Sequence, residues 1–113
     1  MKKVTAIIRI DFAGEVIRAI ELAGCRCIAV VDVCGLGDLF DPEKEYISFE
    51  YEGRYSKMSR IEVLCKNDDV EALMEAIKKH GHTNHTGDGV VYVSPVDRAA
   101  KIRSGEEGEQ VFQ

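Results

Sequence analysis

The chain has 113 residues, of which 45% are apolar and 31% are charged, a composition typical of one globular domain with a single core. Its formal net charge of -5 argues against nucleic acid as the main partner, because a phosphate backbone is bound by a basic face. No apolar run approaches the ~20 residues of a membrane-spanning helix. We therefore expect a single domain over residues 1–113 that is not embedded in a membrane, with an acidic C-terminal tail, about residues 104–113, that is flexible unless a neighbouring chain holds Val111 and Phe112. The four cysteines favour a reducing, cytoplasmic location.

Hydrophobic periodicity predicts four strands and two helices. Apolar residues alternate from Val4 to Ile10, which predicts a strand, and they recur at helical spacing from Phe12 to Ala23, where Gly24 ends the helix. The remaining predicted elements are strands over Cys27–Val33, Ser59–Cys65 and Val90–Val93 and a helix from about Val70 to Gly81. The order βαββαβ predicts an α+β, ferredoxin-like fold, in which an antiparallel sheet carries two helices on one face.

A long segment between the second and third strands, about residues 37–58, is not required by this fold; we call it the arm. A loop of this length inside a compact domain usually has a function. Its aromatic residues provide anchors for a protein partner: Tyr46, Phe49, Tyr51 and Tyr55. Six acidic residues against one lysine, from Asp38 to Glu52, favour a basic partner surface. An ordinary long hairpin that is merely aromatic is the alternative.

Gly87-Asp88-Gly89, here called the glycine turn, is typical of a backbone that wraps an anion. Glycine permits a positive φ and a close backbone approach, so successive N–H groups can point into one concavity. Further along the chain, Lys101 and Arg103 would project to one face if this piece is extended, and two cations together suit a polyphosphate. We therefore predict a nucleotide-phosphate site, although each feature alone is more often an ordinary turn or a solvated strand face.

These residues resemble a known family. The chain is similar to the PII nitrogen-regulatory signalling proteins in its C-terminal signature and at Met1-Lys2-Lys3, Gly35-Leu36-Gly37 and Ile61-Glu62. The signature comprises Gly87-Asp88-Gly89, Val93-Ser94-Pro95-Val96, Arg98-Ala99, Ile102-Arg103 and Gly105-Glu106-Glu107-Gly108-Glu109. The resemblance covers essentially the whole chain and supports the ferredoxin-like fold.

The resemblance implies a homotrimer that binds ATP, ADP or AMP in clefts between subunits. In that family the segment matching the arm, called the T-loop, docks onto an enzyme, a transporter or a regulator. The implied cleft residues here are Ile7, Ala29, Gly35, Leu36, Gly37, Asp38, Leu64, Gly87, Asp88, Gly89, Lys101 and Arg103, with Ile7, Ala29 and Leu64 near the adenine. Ligand binding would then act by shifting the population of arm conformations.

Three departures from the family pattern change the expected ligands. Leu39 replaces the glutamine that helps to hold Mg-ATP and 2-oxoglutarate, Val90 replaces a phosphate-binding lysine, and Met58 replaces a lysine that pairs with 2-oxoglutarate. We therefore expect weak or absent 2-oxoglutarate binding, doubtful Mg²⁺ binding, and a preference for ADP or AMP over Mg-ATP. Tyr51 matches a position that some members uridylylate, but an aromatic anchor is the simpler interpretation.

Two other chemistries remain open from the sequence. A metal-binding sensor could use Cys25, Cys27, Cys34 and Cys65, although buried strand cysteines more often act as small apolar residues. His80, His82 and His85 form a second cluster without a completing ligand. We predict no metal site and no catalytic residue, because the chain lacks an activated nucleophile and a Walker loop. Asp88 is a conceivable base, but its simpler role is to bond backbone N–H groups of the turn.

Overall fold

The structure, a computed structural model, describes residues 1–50 and 53–112. Within these residues, five strands and two helices follow one another. They are β1 (Lys2–Arg9), α1 (Ala13–Leu22), β2 (Cys27–Gly35), β3 (Tyr46–Ser48), β4 (Gly53–Cys65), α2 (Val70–Gly81) and β5 (Val90–Pro95). Short 3-10 turns precede each helix, and two more lie at Gly37–Leu39 and Glu109–Phe112. Within this part of the chain, no helix is long and apolar enough to cross a bilayer.

The strands form an open antiparallel sheet in the order β2-β4-β1-β5, and β3 pairs only with β4. Across this sheet Ile7 of β1 lies opposite Arg60 of β4 and opposite Val90 of β5. The central position of β1 brings its C-terminal end between the other strands, so Arg9 lies close to elements that are distant in sequence. The predicted ferredoxin-like α+β fold is confirmed.

One face of the sheet is covered by the two helices. The core consists of fully or nearly fully buried apolar residues from β1, β4 and both helices: Val4, Ala6, Ile8, Val16, Ile20, Ile61, Val63, Leu73 and Ile77. These are the residues that the alternating and helical spacings predict. The opposite face carries the intervening strand residues, of which Thr5, Arg9 and Met58 are buried, whereas Val31, Val90 and Tyr92 are each 44–45% exposed.

The arm is partly a β-hairpin, the alternative to a long loop that the sequence leaves open. The periodicity predicts a third strand at Ser59–Cys65, whereas β4 already begins at Gly53 and pairs with β3. Tyr46 lies opposite Tyr55, and their ring centroids are 5.5 Å apart. Cross-strand aromatic pairs stabilise antiparallel strands, so the aromatic residues build the hairpin. The predicted role of Tyr51 lies outside the described residues.

The region of Lys101 and Arg103 is not extended, so the predicted alternation of the two side chains is wrong. The N–H of Gly105 donates to the carbonyl of Lys101 at 2.8 Å, and the N–H of Lys101 donates to the carbonyl of Glu106 at 2.8 Å. Gly105 has a φ of 77°, which closes this tight turn. Both cations are exposed on the turn.

The C-terminal tail is held by its own chain, whereas the sequence predicted a flexible tail unless a neighbour bound it. Val111 and Phe112 are half-buried in the 3-10 turn at Glu109–Phe112. The N-terminal ammonium lies 3.6 Å from the carboxylate of Glu109. The two ends of the chain therefore meet beside the sheet.

Replacing Ile61 by alanine should lower the free energy of unfolding by about 2–5 kcal/mol, because it leaves a cavity in a closely packed core. Leu22→Ala is the matched control, since Leu22 is 84% exposed, and it should change stability by less than about 0.5 kcal/mol. Denaturant titration at one protein concentration measures both. Equal losses at the two positions would contradict this assignment of the core.

Candidate functional site

The glycine turn requires glycine at both of its ends. Gly87 and Gly89 have φ values of 99° and 94°, a region that other residues rarely adopt. A Cβ atom on Gly89 would overlap the carbonyl oxygen of Ile7. A Cβ atom on Gly87 would lie 2.9 Å from Cβ of Asp41. The turn is therefore packed directly against β1 and against the first residues of the arm.

Asp88 points back into its own loop. Its carboxylate accepts hydrogen bonds from the backbone N–H groups of Thr83, at 2.9 Å, and Asn84, at 3.0 Å. It also accepts from the hydroxyl of Thr83 and from Arg9. The predicted role of Asp88, bonding backbone N–H groups to shape the turn, is confirmed. The conformation of residues 83–89 thus depends on an ionised carboxylate.

Arg9 connects the glycine turn to the arm, and sequence reasoning did not identify it. Its Nε donates to Asp41 at 3.0 Å, while Nη1 donates to Asp88 and, at 3.1 Å, to the hydroxyl of Thr83. Its Nη2 donates to the carbonyl of Thr86 at 2.8 Å. Arg9 is only 8% exposed. The one available signal was a charged residue at the C-terminal end of β1, directly after the apolar residues 6–8.

Arg9 stabilises the charges of Asp41 and Asp88, and these two carboxylates stabilise the charge of Arg9. Hydrogen bonds from Arg9 and from the N–H of Glu43 hold the pKa of Asp41 below its usual range. Burial opposes the charge of Asp88, but hydrogen bonds from Thr83 and Arg9 outweigh it and lower the pKa of Asp88. Burial also opposes the charge of Arg9, and the two carboxylates overcome it, so the pKa of Arg9 is raised. The cluster is fully ionised at neutral pH.

The first residues of the arm are fixed by side chains of the sheet. Asp41 is 6% exposed, and its N–H donates to the hydroxyl of Ser56 at 2.7 Å. Gly35 packs so closely that an added Cβ would lie 2.6 Å from the carbonyl oxygen of Leu39 and 2.7 Å from Cγ of Met58. The three residues after Gly35, Leu36, Gly37 and Asp38, are pushed outward and are exposed.

The remaining predicted site residues do not meet within one chain. Leu64 lies four positions along β4 from Arg60, the partner of Ile7, which corresponds to roughly 13 Å. Ala29 of β2 lies opposite Glu62, which lies between Arg60 and Leu64 on β4. No hydrogen bond or ion pair among the described residues joins Lys101 or Arg103 to the glycine turn. Two groups result on the sheet: Ile7 lies beside the glycine turn, and Ala29 and Leu64 lie farther along the strands. Lys101 and Arg103 lie on the separate C-terminal turn.

Comparison with known proteins identifies the family. Residues 1–106 match the family model described as Nitrogen regulatory protein P-II. The chain belongs to the PII nitrogen-regulatory family. It is 34% identical to Nitrogen regulatory protein P-II 2 of Methanothermobacter thermautotrophicus over 97% of this chain and 96% of that protein. It is also 38% identical to Nitrogen regulatory protein P-II of Cereibacter sphaeroides, over 96% of this chain and 97% of the relative.

The cysteines of this PII chain do not form a metal cluster among the residues that the structure describes. Cys25 and Cys65 are buried, whereas Cys27 and Cys34 are exposed. Burial raises the pKa of Cys65 to about 11 and also raises the pKa of Cys25. Metal ions bind the thiolate, so the two buried thiols are poor ligands. In the histidine cluster, Nδ1 of His80 contacts the carboxylate of Glu15 at 3.2 Å.

The ionised cluster of this PII chain gives a prediction for acid stability. Asp41→Asn should lower the free energy of unfolding by about 1.5–3 kcal/mol at pH 7, because a charged hydrogen bond is lost. The pKa of Asp41 is lowered in the folded protein, so this contribution is complete above the unfolded pKa of about 3.9 and disappears as the pH falls through the folded pKa. Denaturant titrations between pH 7 and pH 3 should therefore show that the free energies of unfolding of Asp41→Asn and of the unmodified protein approach each other as the pH falls.

The matched control for this titration is Glu45→Gln, which removes an exposed carboxylate 3.3 Å from Arg54. It should cost no more than about 1 kcal/mol at pH 7, since exposed pairs contribute little. The assigned charge of Asp41 would be contradicted if the free energies of unfolding of Asp41→Asn and of the unmodified protein differed as much at pH 3 as at pH 7.

Proposed function

We propose that this PII protein binds an adenine nucleotide in clefts between the subunits of a homotrimer and that occupancy biases the arm, which regulates a partner protein. The observation that carries this proposal is the glycine turn. Among the hydrogen bonds of the described residues, the N–H groups of Gly87, Asp88 and Gly89 are not used as donors. Three consecutive free N–H groups between two residues of positive φ suit an anionic phosphate.

A cleft shared by two subunits is supported by the separation of the two residue groups. Ile7 and the glycine turn lie at one end of β1, whereas Leu64 is roughly 13 Å away along β4. The exposed Lys101 and Arg103 are free to reach a neighbouring chain. We therefore assign Ile7 and the glycine turn to one subunit and the neighbour's copies of Leu64, Ala29, Lys101 and Arg103 to the other side of the cleft.

Association of the subunits is supported by exposed apolar residues on the face of the sheet opposite the helices. Val31, Val90 and Tyr92 lie on this face, and each is 44–45% exposed. Apolar strand residues facing solvent are favourable sites for contact with a second copy of a chain. A trimer would bury this face and bring the two halves of the cleft together.

The expected ligand preference follows from three positions near the glycine turn. Met58 is fully buried against Gly35, so this position offers neither charge nor a hydrogen bond to 2-oxoglutarate. The side chain of Leu39 has no oxygen atom that could hold Mg²⁺. Val90 is 45% exposed and cannot pair with a phosphate. We propose weak or absent 2-oxoglutarate binding and a preference for ADP or AMP over Mg-ATP.

The tip of the arm is the proposed contact with the partner protein. Ile47 is 73% exposed and Phe49 is 95% exposed, on a hairpin stiffened by the Tyr46 and Tyr55 rings. Asp41 is paired internally with Arg9, so the arm presents less negative charge than its composition predicts. An apolar tip flanked by exposed acidic residues fits a partner groove with a basic rim.

We propose a regulatory role without catalysis. Asp88, the one candidate base that the sequence offered, is bonded to Arg9, Thr83 and Asn84 and is not available to accept a proton from a substrate. Its lowered pKa makes it a weak base. The family to which the chain belongs is one of signalling regulators.

Isothermal titration calorimetry with AMP, ADP, ATP with and without Mg²⁺, and 2-oxoglutarate tests this proposal. Arg103→Ala should lower the affinity for ADP by about tenfold or more, since a charged hydrogen bond to phosphate is lost. Arg18→Ala is the control, because it removes the same charge from the exposed face of α1. Failure of every nucleotide to bind would contradict the proposal, and tight 2-oxoglutarate binding would contradict the roles given to Leu39 and Met58.

A further inference from the structure

The arm and the glycine turn share one buried cation. Asp41 belongs to the arm, Asp88 belongs to the glycine turn, and both carboxylates are bonded to the guanidinium of Arg9. Arginine has five N–H donors in a rigid plane, and four of them are used here by Asp41, Asp88, Thr83 and Thr86. A lysine at this position could not replace such a planar, multiple contact.

Direct packing joins the same two segments a second time. The ideal Cβ position of Gly87 lies 3.0 Å from Cα of Asp41 and 3.3 Å from Nη2 of Arg9. The backbone of the turn is therefore in contact with the backbone of the arm, and the guanidinium lies beside both. Neither segment can shift by much without displacing Arg9 or opening this contact.

A separate anchor holds the arm without touching the glycine turn. The hydroxyl of Ser56 on β4 contacts the N–H of Asp41 at 2.7 Å, the carbonyl of Asp41 at 3.1 Å and the carbonyl of Lys44 at 2.9 Å. Asp41 is thus held by Ser56 on one side and by Arg9, together with the turn, on the other. This arrangement allows the two anchors to be tested independently.

We propose that Arg9 is a positioning residue that couples the arm to the glycine turn, with Asp41 as the contact on the arm side, so that loss of either carboxylate contact to Arg9 loosens both segments. The physical reason is that a buried guanidinium must keep its partners: when one carboxylate is withdrawn, Arg9 shifts and weakens its hold on the second. The coupling itself is a property of the fold. Its use, the transmission of nucleotide occupancy to the arm, rests on the function proposed above.

Hydrogen–deuterium exchange of the ligand-free full chain tests the coupling. Asp41→Asn should raise the exchange rates of the arm residues 40–45 and also of residues 82–89, by about tenfold or more in each. Ser56→Ala should raise exchange in residues 40–45 only. Arg9→Lys, which retains the charge but not the planar fork, should reproduce the pattern of Asp41→Asn. Circular dichroism confirms that each variant is folded.

An effect of Asp41→Asn that stays within the arm, like that of Ser56→Ala, would overturn the coupling. Repeating the exchange with saturating ADP separates the two proposals. In the unmodified protein, ADP should change the exchange rates of residues 40–45. In Asp41→Asn, ADP should bind but leave these exchange rates unchanged. If ADP does not bind the unmodified protein, the proposed function fails, while the ligand-free comparison still decides whether Arg9 couples the two segments.

Discussion

The structure around the candidate site depends on one buried guanidinium. Arg9 ends the central strand of the sheet and cannot be left unpaired at 8% exposure, because an isolated charge in this environment is strongly destabilising. Two carboxylates, a hydroxyl and a carbonyl satisfy it, and they come from the arm and from the segment before β5. The position of both segments follows from this requirement.

Glycine and charge have complementary roles at this site. Gly87 and Gly89 allow the chain to lie against Asp41 and Ile7, at distances that no side chain would tolerate. Asp88 then fixes the loop by turning its charge inward, and among the hydrogen bonds of the described residues the N–H groups of Gly87, Asp88 and Gly89 are not donors. On the function proposed above, these N–H groups would contact phosphate, and the exposed Lys101 and Arg103 of a neighbour would supply the cations.

The sequence predicted those features that depend on local periodicity. β1, α1 and α2 were found because their buried residues recur at the spacing of a strand or a helix, and the glycine turn was found because only glycine suits its backbone. The pair of Arg9 and Asp41 was not found, since the two residues are 32 positions apart and charge patterns do not specify distant partners. The early start of β4 was missed because its first residues pair with a three-residue strand rather than with the core. The C-terminal turn was missed because an alternating Lys-Ile-Arg sequence suits both a strand and a turn.

A double-mutant cycle on Asp41 and Asp88 tests the central claim most directly, with the free energy of unfolding as the readout. When one carboxylate is replaced by asparagine, Arg9 shifts and weakens its hold on the other, so part of the second contact is already lost in each single variant. The account predicts that the double variant loses less stability than the sum of the two single losses, by more than about 0.5 kcal/mol. Additive effects would show that the arm and the glycine turn are held independently and would contradict it.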